Sequence, residues 1–78
     1  MKEKLSKIRW HLEHNFIPPY NDNSINSMLG IIEKLLQGEI SLDTPIKENS
    51  DITVGEMMDD LRLPFSELDS LLAKINLN

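Results

Sequence analysis

The sequence contains no cysteine. That excludes disulfides, thiolate metal sites and thiol nucleophiles, and it removes any requirement for an oxidising compartment. Its 3 glycines are far apart, so no glycine-rich loop is present to cradle a phosphate. No apolar run approaches the roughly 20 residues that a membrane span needs. The basic start, Met1 to Lys7, is not followed by the apolar stretch of a secretory leader. A cytoplasmic protein with no membrane partner is the expectation. Aromatics are also scarce: Trp10, Phe16, Tyr20 and Phe65 are the whole set. There is no internal repeat and no low-complexity tract.

What is present suits one small folded domain spanning 1–78. Hydrophobic residues make up 40% and charged residues 27%, ordinary values for a globular chain, and 78 residues cannot be divided into two cores that fold alone. Charge is unevenly placed. Residues 1–10 hold Lys2, Lys4, Lys7 and Arg9 against Glu3, whereas residues 11–78 hold four bases against twelve acids. Most of the chain would therefore repel nucleic acid and anionic lipid, and the first helix is the one element that could attract them.

Four segments carry a helical period. Over 2–15, Leu5, Ile8 and Leu12 share one face, with Lys4, Lys7 and His11 off it; Pro18 and Pro19 end the element. Over 24–37, Ile25, Met28, Leu29, Ile32, Leu35 and Leu36 form a broad stripe, with Asn23 or Ser24 as N-cap and Gly38 at the left-handed position past the end. Gly30 inside this helix costs about 1 kcal/mol against alanine, a cost that close approach of a neighbouring backbone would explain. Over 54–62, Thr53 and Glu56 make a capping box ahead of Val54, Met57, Met58 and Leu61. Over 65–76, Phe65, Leu68, Leu71, Leu72 and Ile75 recur on one side, with Pro64 or Ser66 at the start. Between the second and third helices, Ile40–Leu42 and Ile52–Val54 are short enough to pair as a minimal two-strand ribbon. The fold class is all-α: a bundle of about four helices, with that ribbon near 40–42/52–54 as an accessory.

No constellation points to catalysis or to a cofactor. His11 and His14, three apart, could share a helix side, but a divalent metal needs a third and usually a fourth ligand, and neither Glu13 nor Asp22 is well placed to supply it. No metal is expected. The serines lie in no strand–turn–helix elbow, and the carboxylates fall on polar helix faces. The chain is not expected to be an enzyme, and no small-molecule substrate is implied.

The last 26 residues, ITVGEMMDDLRLPFSELDSLLAKINL, resemble a helix-turn-helix in rhythm: capped short helix, tight turn, second helix. Two positions depart from that motif. Met58 stands where a small residue is usual, and would force the helices apart. Arg62 stands where the turn usually has glycine. The outer face of the second helix offers Glu67, Asp69 and Ser70 where a DNA reader offers bases and amides.

The stretch HLEHNFIPPYND reads as a hinge between the first two helices, with Phe16 and Ile17 folding back on the core. Trp10, Phe16 and Tyr20 cluster there, and aromatics of this kind are enriched in binding hot spots. Met57 and Met58, if exposed, would form a second, adaptable patch. These five residues are the candidate partner-binding set. The resulting functional expectation is a non-catalytic, acidic interaction or regulatory module that binds another protein or itself. A homodimer is one form of it, because the apolar stripes of 54–63 and 65–77 look larger than one small core can bury. The alternative is a degenerate helix-turn-helix regulator using Lys4, Lys7 and Arg9 as phosphate contacts. A lesser alternative is an acidic decoy for a basic partner, since residues 39–69 carry nine acids and two bases.

Overall fold

Four α-helices and one turn of 3-10 helix account for the regular structure, in a computed structural model that describes residues 2–15 and 22–76. The helices are α1 (Lys2–Asn15), α2 (Asp22–Leu36), α3 (Val54–Asp60) and α4 (Leu68–Ala73), with the 3-10 turn at Phe65–Glu67 running into α4. The hinge expected at 16–20 lies outside the described residues.

α1 is the element on which the others pack: it lies against α2 and against α4. Its inward seam is Ile8, His11 and Leu12, with Leu5 half-buried beside them. That corrects the expectation for His11, which is buried rather than off the apolar face. From α2, Ile25, Ile32 and Leu35 join the core; from the second half of the chain come Val54, Met57, Met58, Leu61, Leu63, Leu68, Leu72 and Ile75. Each fully buried aliphatic side chain of this kind contributes about 1.5–3 kcal/mol relative to exposure. The stripes of α3 and α4 that seemed too large for one chain are thus mostly absorbed within it.

α2 begins at Asp22, so Asn23 and Ser24 sit inside its first turn rather than at its cap. Its other end is a Schellman motif. The N–H of Gly38 donates to Leu35 C=O at 3.1 Å and that of Glu39 to Lys34 C=O at 2.9 Å. Gly38 has φ +80, the left-handed conformation that glycine adopts without Cβ strain. Gly30 has no comparable reason: a Cβ there would meet nothing within 4 Å, so the expected close approach of a neighbouring backbone is absent.

The start of α3 is unusually complete. Thr53 Oγ1 accepts from the Glu56 N–H at 3.2 Å while the Glu56 carboxylate accepts from the Thr53 N–H at 3.3 Å, the expected capping box. The first two helical N–H groups are satisfied by the preceding loop: Val54 donates to Thr44 C=O at 2.8 Å and Gly55 to Leu42 C=O at 2.9 Å. This is why the anticipated ribbon shrinks to a single antiparallel bridge, Pro45 with Thr53, beside the bond from Ile46 N–H to Ile52 C=O. The pairing uses 45–46 instead of 40–42. The Leu42 and Thr44 carbonyls are already committed to a helix end, and Pro45 has no N–H to extend a ladder.

α3 ends as α2 does. Arg62 N–H donates to Asp59 C=O at 3.0 Å and Leu63 N–H to Met58 C=O at 2.8 Å, with Arg62 at φ +57. Here an arginine occupies the left-handed site.

Candidate functional site

Among the described residues the exposed large hydrophobic side chains are Trp10, Leu42, Ile52 and Phe65, and three of them belong to two local features. The first is on α1. Trp10 and His14 are four apart on the helix, so their side chains are neighbours on one face. Their rings stack with centroids 4.1 Å apart and planes 17° from parallel. His14 Nδ1–H donates to the Trp10 carbonyl at 2.8 Å, which fixes the imidazole over the indole. Trp10 remains 39% exposed. A large aromatic is therefore held in one orientation with its outer surface in water.

The second lies between the loop and the start of α4. Leu42 and Phe65 are 39% and 42% exposed and both line a groove of about 230 Å³. Gly55, Met58 and Pro64 line it, with Asp59 and Ser66 as its polar members. The groove exists because Gly55 has no side chain. A Cβ there would lie 3.2 Å from the Leu42 carbonyl oxygen and 3.3 Å from the Leu42 Cβ. Glycine lets the loop backbone bond directly to the helix end.

The residues singled out from sequence have different fates. Trp10 is exposed, as expected of a contact residue. Phe16 and Tyr20 lie outside the described residues. Met57 and Met58 do not form an exposed patch: both are buried, because α3 turns them inward beside Val54 and Leu61. Met58 contributes to the groove from below. The three bases proposed for phosphates are engaged within the chain. Lys4 Nζ lies 3.1 Å from Asp69 Oδ1, Lys7 Nζ lies 3.7 Å from Glu3 Oε1, and Arg9 donates to the Asn26 side-chain oxygen.

Three residues were missed. His11 Nε2 lies 3.2 Å from the carbonyl of Leu61. A carbonyl can only accept, so Nε2 carries the proton, and α1 thereby ties off a carbonyl at the end of α3. Asn15 Nδ2 lies 3.3 Å from His11 Nδ1 and donates to the His11 carbonyl at 2.8 Å. The signal in sequence was the i, i+3, i+4 run Ile8, His11, Leu12. Phe65 was assigned to the buried face of α4. Glu67, at φ −117 and ψ 12, interrupts the helical path between the 3-10 turn and α4, so Phe65 does not continue that face. Leu42 carries no signal in sequence, since its place beside Gly55 depends on a hydrogen bond between residues thirteen apart.

The two histidines do not converge as ligands: one ring is bonded into the core and the other lies on Trp10. Among the described residues no group of three or more histidines, aspartates or glutamates is placed to hold a metal ion. No helix among them is long and apolar enough to cross a membrane. The turn before α4 has the left-handed backbone that a helix-turn-helix uses, but α3 and α4 are not among the closely approaching helix pairs. Comparison with protein-family models, with curated proteins and with solved structures finds no significant match for this chain.

Proposed function

We propose that this protein is a non-catalytic interaction module that binds another protein through the face of α1 centred on Trp10. The observation that carries the reading is the Trp10–His14 stack: an exposed indole held in one orientation by a neighbouring ring. Ordering such a side chain on binding costs little conformational entropy, because the order already exists. Tryptophan is also among the residues most enriched at hot spots. A cytoplasmic setting belongs to the same reading and suits a chain without cysteine.

The other readings have less behind them. Self-association rested on surplus apolar surface in α3 and α4, and most of those side chains are satisfied within the monomer. Nucleic-acid binding would require Lys4 and Arg9 to leave their partners Asp69 and Asn26, and the 3-10 turn and α4 add the exposed carboxylates Glu67 and Asp69.

The test is capture of the partner from the source cell by the intact chain and by Trp10→Ala, with circular dichroism to confirm an unchanged fold. The variant is expected to lose the captured protein, with affinity weakened about 30-fold or more, as a hot-spot residue implies. Equal capture by both forms would overturn the reading. A parallel titration with duplex DNA at low salt is expected to leave Trp10 fluorescence unchanged. A response that collapses as salt rises would transfer the assignment to nucleic acid.

A further inference from the structure

We propose that the Leu42–Phe65 groove is a second docking site, and that its occupant is an apolar side chain of a partner polypeptide flanked by lysine or arginine. The site does not depend on the Trp10 surface, and each stands or falls separately.

Three properties of the groove point to that occupant. Its volume of about 230 Å³ falls below the roughly 300–1,000 Å³ of typical small-molecule sites, and suits one inserted side chain. Its walls are preformed. Leu42 is pinned by the 2.9 Å bond from the Gly55 N–H to its carbonyl, and Phe65 follows Pro64 at the start of the 3-10 turn. Neither wall has to be ordered on binding, which removes an entropic cost.

The third property is charge. Residues 39–69 carry nine acids and two bases. Asp59 lines the groove itself, and Asp43 follows the lining residue Leu42 in the chain. Both are exposed and make no ion pair among the described residues, whereas Asp69 is held by Lys4 and Glu56 by the α3 cap. The bases Arg62 and Lys74 line a separate hollow together with Glu67, and that hollow shares Pro64 with the groove. An apolar slot with unpaired carboxylates about it is complementary to an apolar residue between cations. A second copy of the chain fits less well, because its basic segment is α1, where Lys4, Lys7 and Arg9 already have partners.

The test uses the full chain and three synthetic peptides, Lys-Lys-Leu-Lys-Lys, Glu-Glu-Leu-Glu-Glu and Lys-Lys-Ser-Lys-Lys, followed by amide NMR. The lysine-flanked leucine peptide is expected to shift the signals of Leu42, Gly55 and Asp59, and the other two to shift them far less. Phe65→Ser removes an exposed wall, and Asp59→Lys reverses the charge in the groove without touching the core. Each is expected to weaken binding about tenfold. Trp10→Ala is expected to leave it unchanged. Equal binding of the glutamate-flanked peptide, binding indifferent to both groove variants, or no binding at millimolar peptide would overturn the proposal. So would a sedimentation equilibrium that shows a dimer dissolved by Phe65→Ser, which would make the occupant a second copy.

Discussion

The ends of α2 and α3 have the same backbone and different residues. Both are Schellman motifs, with paired bonds from the two residues past the helix to carbonyls in its last turn. At the end of α2 the left-handed position is Gly38, and the residues joined by the longer bond are Lys34 and Glu39, both exposed. At the end of α3 that position is Arg62, and the corresponding residues are Met58 and Leu63, which are 1% and 0% exposed. A non-glycine residue at left-handed φ costs roughly 1–2 kcal/mol. The first motif forms because the local sequence favours it. The second forms because burying Met58 and Leu63 outweighs the strain at Arg62. One geometry is thus reached by local preference in one place and imposed by tertiary packing in the other.

The comparison can be broken most forcefully at Leu63. Leu63→Ala removes the buried residue that holds the strained turn, and is expected to cost about 2–5 kcal/mol of unfolding free energy, measurable by urea titration. If the cost is under about 1 kcal/mol, as for an exposed site, Arg62 is held by something other than core burial. Next in size is Gly38→Ala, expected to destabilise by about 1–2 kcal/mol because no buried pair compensates at that end. The smallest effect runs the other way. Arg62→Gly relieves the left-handed strain but loosens the unfolded chain, and is expected to raise stability by about 0.5–1 kcal/mol. Thermal melts of the two glycine-site variants side by side would show opposite signs if the two ends differ as described.

How legible these features were follows the same division. The helix at 2–15, the start of the helix expected over 54–62, the Thr53–Glu56 capping box and the glycine stop at Gly38 were readable in the sequence, because each depends on residues within one or two turns of one another. The ribbon was misread because nothing local shows that the Leu42 and Thr44 carbonyls are taken by the N–H groups of Gly55 and Val54. His11 was misplaced for a similar reason: its acceptor, the Leu61 carbonyl, is fifty residues away. The candidate sites divide likewise. Trp10 was singled out as a candidate contact residue, while its exposure was left open by the sequence and is set by the structure. The groove was not singled out, since Gly55 reads as one weak helix residue until the loop that lies against it is known.

By itself the sequence determined an all-α chain, the order of its helices, the caps that start α3 and end α2, and the separation of a basic first helix from an acidic remainder; the last helix, expected over 65–76, is a 3-10 turn followed by the shorter α4. The features so determined follow from period, cap chemistry and charge, which act over a few residues. Only the tertiary structure decided that Met57 and Met58 are core, that Arg62 adopts a glycine conformation, that His11 closes the end of α3, and that Leu42 and Phe65 line one groove. Each of those outcomes depends on groups far apart in the chain. Burial and backbone hydrogen-bond satisfaction are properties of the packed whole, and they override local preference wherever the two conflict.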